Sequence, residues 1–238
     1  MAKIIHRASS RGHSKYEWLD SKHSFSFASY HNPERIHFGA LRVLNDDIID
    51  ASSGFGKHPH DNMEIITIPI NGALKHQDSM GYEQIIGVNE VQVMSAGSGI
   101  IHSEYNASEE QAANFLQLWI FPDTKNITPQ YDQRHFDPSE AQNAWQTLVS
   151  DANDINKNLL GIRQKASISR TFLSADFELN YTLKPHSYGC YLFVISGEIK
   201  VDNDLISERD ALGLYDIQAF RIKATKPTYL LNIEIPKI

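Results

Sequence analysis

Short apolar runs bounded by Gly, Asn, Asp and Pro recur along the chain, and they are rich in Ile, Val, Phe and Tyr. Ile65-Ile66-Thr67-Ile68, Leu116-Gln117-Leu118-Trp119-Ile120-Phe121, Tyr191-Leu192-Phe193-Val194-Ile195 and Tyr229-Leu230-Leu231-Asn232-Ile233-Glu234-Ile235 are examples. That spacing predicts many β-strands separated by turns, the pattern of an all-β sandwich or barrel. Helical periodicity is scarce. One helix is predicted after Asp137-Pro138-Ser139-Glu140, where Asp137 can cap, Pro138 suits the first turn and Ala141 to Val149 can continue for about two or three turns.

A weak internal repeat predicts two halves of like architecture. Ile70-Asn71-Gly72-Ala73-Leu74-Lys75 reads like Ile195-Ser196-Gly197-Glu198-Ile199-Lys200 at an offset of 125 residues, each a strand, a Gly turn and a strand. The expected division is an N-terminal barrel over residues 1–135 and a C-terminal barrel over 136–238. Pro122, Pro129 and Pro138 punctuate the join, so the connection is expected to run over the surface between roughly 122 and 160. The same offset sets Leu183 and Pro185 against His58 and His60, which predicts a second barrel without the imidazoles.

Composition narrows the chemistry. A chain of 238 residues with 41% hydrophobic and 21% charged positions can build a sizeable core, which excludes disorder as its main description. The balance of 22 Lys+Arg against 29 Asp+Glu gives a formal net charge of −7, the wrong sign for broad contact with nucleic acid. A single cysteine, Cys190, makes no internal disulfide and fits a reducing compartment, so any metal must be bound by His and carboxylate. The segment from Met1 to Ser10 has no apolar leader pattern, and no later stretch approaches the ~20 apolar residues of a membrane span, so a cytoplasmic protein without a membrane partner is expected. The 11 histidines are uneven: ten lie at or before His135, and only His186 lies in the last hundred residues.

Two short patterns concentrate that histidine. In Lys57-His58-Pro59-His60, strand geometry places the side chains at i and i+2 on one face, so His58 and His60 can present two nitrogens to one point inside a barrel. Glu64 shares that parity if the strand runs on without a bulge. In Gly97-Ser98-Gly99-Ile100-Ile101-His102-Ser103-Glu104, His102 and Glu104 repeat the spacing just after a glycine turn. Pairing of the two strands would collect three imidazoles and one carboxylate. Such a set suits Fe, Mn, Ni, Cu, Co or Zn better than Ca or Mg. The competing reading makes His58 and His60 an exposed loop pair and His102 a hydrogen-bonded core residue.

The stretches His58-Pro59-His60 with Glu64, Leu74-Lys75-His76-Gln77-Asp78-Ser79, and Met94-Ser95-Ala96-Gly97-Ser98-Gly99-Ile100-Ile101-His102-Ser103-Glu104 resemble the pirin family of two-barrel cupins, in particular its bacterial members described as quercetin 2,3-dioxygenases. Arg11-Gly12-His13, Trp18-Leu19-Asp20-Ser21, Phe25-Ser26-Phe27-Ala28-Ser29-Tyr30, Phe38-Gly39-Ala40-Leu41-Arg42-Val43-Leu44-Asn45-Asp46-Asp47 and Ile127-Thr128-Pro129-Gln130-Tyr131-Asp132-Gln133-Arg134 carry the same likeness. It is dense to about residue 137 and thin beyond. The resemblance implies a bicupin of two antiparallel, jelly-roll-like barrels. It also implies one divalent transition metal, iron first, bound by His58, His60, His102 and Glu104, with Glu64 as a neighbour. Two departures from the general cupin pattern, around Gly87-Val88-Asn89-Glu90 and at Asp61-Asn62-Met63, are expected near the pocket mouth.

The resemblance further implies a dioxygenase that opens the heterocyclic ring of a flavonol such as quercetin with O2 and releases carbon monoxide. Glu104, loosely bound, or Glu64 would accept the proton of the substrate hydroxyl. The alternative is a metal-dependent redox or regulatory switch that binds a protein partner, and a third is turnover of a different small molecule. Among the other residues, His76 is expected in a turn or a core hydrogen bond. His23, His31 and His37 are expected as packing or cover, Cys190 as an inert buried thiol, and Glu109-Glu110 as a solvated loop. Trp119, Phe121 and Met94 are expected in the core, with one or two lining an apolar vestibule.

Overall fold

The structure is a computed structural model and describes residues 2–154, 158–185 and 187–238. His186 therefore lies outside the described residues. The predicted all-β chain folds into two barrels, each made of one seven-stranded and one four-stranded sheet. The first large sheet has the spatial order Gln130–His135, Glu90–Ser95, Glu64–Asn71, Ala113–Ile120, Leu41–Ile49, Leu19–His23 and Gly12–Lys15. Facing it stand Gly54–His60, Ile100–Asn106, Ala73–Asp78 and Glu83–Gly87. In the second barrel the large sheet runs Ala2–His6, Ala211–Tyr215, Gly189–Ser196, Thr228–Ile235, Ser167–Leu173, Gln146–Asp151 and Leu160–Ile162. Its small sheet runs Glu178–Thr182, Ala219–Ala224, Glu198–Val201 and Asp204–Ser207.

The repeat seen in the sequence marks one turn used twice. Gly72 (φ 78°) joins Glu64–Asn71 to Ala73–Asp78, and Gly197 (φ 87°) joins Gly189–Ser196 to Glu198–Val201. A Cβ at Gly72 would stand 2.6 Å from the Ala113 Cβ, and one at Gly197 would stand 2.3 Å from the Pro227 carbonyl oxygen. Both turns therefore need a left-handed residue without a side chain, where the next sheet strand begins.

Alternation assigns each large sheet two different faces. Leu44, Ile66, Ile68 and Leu116 of the first sheet meet Leu148, Ile168, Tyr191 and Ile233 of the second in one shared core, so the barrels pack through their large sheets. The interior of the second barrel is filled by Leu183, Leu192, Val194, Phe220, Ile222 and other apolar side chains. Leu183, the counterpart of His58 in the repeat, is part of that filling.

Three expectations about the joins change. The N-terminal strand Ala2–His6 pairs with Ala211–Tyr215, so it stands in the C-terminal half's sheet, across the expected boundary at 135/136. The connection between halves is not a plain surface loop, because Gln130–His135 pairs with Glu90–Ser95 and Gln146–Asp151 pairs with Ser167–Leu173. The predicted helix is only a single 3-10 turn, Pro138–Ala141. Its cap is the predicted one, since the Asp137 side chain accepts from the Ser139 N–H at 2.9 Å. Asn143 then takes a left-handed φ of 55°, and Gln146 to Asp151 bury their side chains as a strand between two neighbours. Among the described residues, no helix is long and apolar enough to cross a membrane.

Candidate metal centre

The small sheet of the first barrel places His58 and His102 directly opposite each other in antiparallel register. Their Nε2 atoms are 3.0 Å apart. His60, two positions along, brings its ring centroid within 4.8 Å of both His58 and His102. Inward parity thus holds for all three imidazoles, despite Pro59 between the first two. The Gly56 carbonyl accepts from Nδ1–H of His58 at 2.7 Å, which leaves its Nε2 lone pair pointing at His102.

Glu104 follows His102 across a register shift in the same strand. One carboxylate oxygen, Oε2, lies 4.0 Å from Nε2 of His102 and accepts from the Gln117 amide at 2.8 Å. The other accepts from the Thr67 hydroxyl at 3.4 Å. Both donors come from the facing large sheet, so that sheet orients the carboxylate held by the small one.

Burial and neighbouring charge hold the imidazoles of His60 and His102 below their ordinary range. Burial, then the charges of His102 and His58, holds His60 down to about 4. Burial, then His58 and His76, holds His102 down to about 3. Neutral imidazole is the form that donates a lone pair to a metal. The donor atoms of His58, His60 and His102 all lie within 4.8 Å of one another, and those of His76, His102 and Glu104 do the same. His102 is shared by both groups. The three-imidazole group, with the Glu104 carboxylate 4.0 Å from His102, has the nitrogen-rich donor chemistry that suits a first-row divalent metal.

His76 is fully buried, but both its nitrogens are occupied. Nδ1 accepts from the Gln92 amide at 3.0 Å, and Nε2 meets Oδ2 of Asp78 at 3.0 Å. It stands behind His102, with ring centroids 5.3 Å apart, as a supporting residue. The expected core hydrogen bond is what the structure has.

Glu64 does not belong to this group. Asn62 takes a left-handed φ of 45°, the strand ends at His60, and a new strand of the large sheet begins at Glu64. Thr67 of that strand faces the barrel interior, so Glu64, with Ile66 and Ile68, faces the contact between the barrels. There it accepts from the Ser95 hydroxyl at 2.6 Å, and burial pushes its carboxyl up against the opposing effects of Ser95 and Arg163. The expected second base is thus a structural group between the halves. The Gly87–Glu90 turn also lies at that contact, where the Asn89 side chain accepts from Arg170 at 3.0 Å, and not at the pocket mouth.

A cavity of about 470 Å3 opens onto His58, His60 and Glu104. Trp18, Phe27, Phe55 and Trp119 form aromatic walls, which realises the expected vestibule for Trp119. Met94 stays in the core. The remaining wall is polar, made by Ser14, Ser21, His23, Asn45 and Asp47. His23 is more than packing: its Nδ1 bonds the Asn45 side chain at 2.9 Å and its Nε2 the Ser14 hydroxyl at 2.9 Å. His31 is exposed, and His37 donates to the Gly39 carbonyl at 3.0 Å. Cys190 is buried, and burial raises its thiol, as an inert residue requires.

Sequence reasoning missed one row of residues. His23, Asn45, Gln117, Thr67 and Gln92 are successive cross-strand partners over five strands of the large sheet. They form a polar stripe facing the imidazoles, and Gln117, Thr67 and Gln92 hold Glu104 and His76. The available signal was a polar residue at an inward position of each otherwise apolar strand.

Comparisons with known proteins agree with this architecture. The family model described as "Pirin" matches residues 5–120, and that described as "Quercetinase C-terminal cupin domain" matches residues 147–235. A protein of Escherichia coli strain K12 called quercetin 2,3-dioxygenase is 38% identical over 234 residues, covering 98% of this chain and 99% of its own. The crystal structure of YhhW from Escherichia coli superimposes with a TM-score of 0.94 at 38% identity, covering 100% of this chain and 99% of that one. Bacterial pirin YhhW from the same organism in complex with nickel(II) gives a TM-score of 0.93 at 37% identity, with both chains covered in full at 100%. On its two-barrel architecture and its whole-length similarity to these relatives, the chain belongs to the pirin family of bicupins.

Proposed function

We propose that this pirin is a metal-dependent dioxygenase that opens the heterocyclic ring of a flavonol with O2. The carrying observation is the cluster of His58, His60 and His102, with Glu104 Oε2 4.0 Å from His102 Nε2, at an aromatic cavity of about 470 Å3. These four residues are assigned as ligands of a single divalent metal. Iron is the first choice, and the nickel complex of the Escherichia coli relative supports nickel as a competitor. When bound, the metal supplies the positive charge that acidifies a coordinated enol hydroxyl.

The chain's own residues do the rest. Trp18, Phe55 and Trp119 enclose a planar, multi-ring aromatic substrate and exclude bulk water from the reacting face. Glu104 takes the 3-hydroxyl proton, while the Gln117 amide and Thr67 hydroxyl hold its carboxylate in place. In the overall reaction two ring C–C bonds break, both atoms of O2 enter products, and one carbon leaves as carbon monoxide.

The test is to strip the protein, reload it separately with iron, nickel, copper, manganese, cobalt and zinc, and follow quercetin loss in air. Loss with at least one metal supports the proposal. No loss with any of them overturns it in favour of a metal-dependent switch protein.

A further inference from the structure

Asp47 is a buried carboxyl group with no ion-pair partner among the described residues, set in the wall of the aromatic cavity. Its residue is only 5% exposed. Inward parity on Leu41–Ile49 puts Asn45 and Asp47 on the cavity side, while Asp46 points the other way to Arg11 and Arg209. The two neighbouring aspartates thus have opposite fates. Asp46 is ion-paired with two guanidinium groups, whereas Asp47 makes no ion pair among the described residues.

One Asp47 oxygen, Oδ1, accepts from the Ser21 hydroxyl. The other, Oδ2, takes no hydrogen bond from any described residue, although the side chain borders both the main cavity and the small recess behind it, beside Phe55, Phe115 and Glu104. A carboxyl oxygen placed like this is open to a hydrogen bond from water or from a ligand that displaces the water. Burial, with the charges of Asp46 and Glu104 added and Ser21 opposing, pushes it up to about 7. In either protonation state it offers a strong hydrogen bond, accepting as carboxylate and donating as acid. Hydrophobic replacement would be cheaper if the wall served only to pack.

We infer that Asp47, flanked by Asn45 and His23, is a specificity site for a phenolic hydroxyl of the substrate other than the 3-hydroxyl. The inference rests on the flavonol reading and sharpens it: the preferred substrate is polyhydroxylated, not the bare 3-hydroxyflavone skeleton. The aromatic walls accept any planar ring system, whereas a buried polar group left unpaired penalises a ligand lacking the matching hydroxyl.

The test is binding, read under nitrogen on the purified metal-loaded chain so that no cleavage takes place. Quenching of tryptophan fluorescence gives Kd for quercetin, 3,5,7-trihydroxyflavone and 3-hydroxyflavone. The wild-type protein is expected to bind at least one polyhydroxylated ligand about tenfold more tightly than 3-hydroxyflavone. In Asp47→Leu, with the same branched shape and no hydrogen-bonding group, that ratio should collapse to within about threefold, chiefly because the polyhydroxylated ligand weakens. Equal affinities in the wild-type protein, or a ratio unchanged in a folded Asp47→Leu, would overturn the assignment. The ligand comparison on the wild-type chain decides the matter if the variant does not fold. Hydroxyl discrimination without quercetin loss in air under any metal would retain the Asp47 site and reject the dioxygenase reading.

Discussion

Nε2 of His58 and Nε2 of His102 face each other at 3.0 Å, and the Gly56 carbonyl fixes the His58 tautomer so that a lone pair enters the gap. The arrangement costs one ring its remaining hydrogen bond, since Nδ1 of His102 is buried without a hydrogen-bond partner among the described residues. A divalent cation held by these two residues would replace this close approach of two nitrogens with coordination.

Metal should therefore stabilise the fold measurably. A bound metal at 100 times its Kd contributes about 2.7 kcal/mol. Thermal melting with and without a chelator should show a drop of several degrees for the wild-type protein. His102→Ala should melt at one temperature in both conditions.

Gln117 acts through Glu104. Gln117→Leu removes the 2.8 Å donor to Oε2 and leaves the carboxylate held only by Thr67. Metal affinity should fall about 10–100-fold with the fold retained, as expected for a lost partner of a ligand. Metal titration against a competing chelator reads this directly. An unchanged affinity would mean that the large sheet does not orient Glu104.

Asp47 predicts an inverted pH dependence of stability. Its carboxyl sits at about 7 in the folded chain, above its ordinary value of 3.8, so the folded state holds a proton that the unfolded state has released. This contribution is fully present below pH ~4 and is lost as pH rises toward 7. Asp47→Asn should match the parent near pH 4 and exceed its stability at pH 8 by roughly 1–3 kcal/mol in urea denaturation. Burial is the largest cause of this effect, followed by the Ser21 hydrogen bond and the charges of Asp46, Glu104 and Arg11.

His6 predicts the opposite limb. It is buried with its Nδ1 at 2.8 Å from the Tyr191 hydroxyl, and burial followed by the Arg35 charge holds it down to about 4. The unfolded chain protonates it near 6.5, so stability falls as pH drops from 6.5 toward 4. His6→Gln should flatten this slope by about 2 kcal/mol over that window, measured by urea denaturation at pH 4.5 and 7. An undiminished slope would place the acid sensitivity elsewhere.

What could be read from the sequence was what is local. His58/His60 and His102/Glu104 are i, i+2 pairs within single strands, and strand parity alone aims them inward. Asp47, Asn45 and Gln117 escaped notice because their role depends on register between strands distant in the chain. Glu64 was misplaced because the left-handed Asn62 breaks the strand, which flips parity for everything after it. The 141–149 segment looked helical because Ala141, Leu148 and Val149 suit either period, and the pairing with Ser167–Leu173 decides between them. The first strand's place in the far sheet rests on partners such as Ile4 and Gly213, a separation that leaves no local trace.

The most direct test of the central claim is the yield of carbon monoxide per quercetin consumed, measured alongside metal content for the wild-type protein and for His102→Ala. One metal per wild-type chain and one carbon monoxide per quercetin are expected, with both metal and turnover lost in the folded variant. Turnover by metal-free His102→Ala, or quercetin loss without carbon monoxide in the wild-type protein, would contradict it.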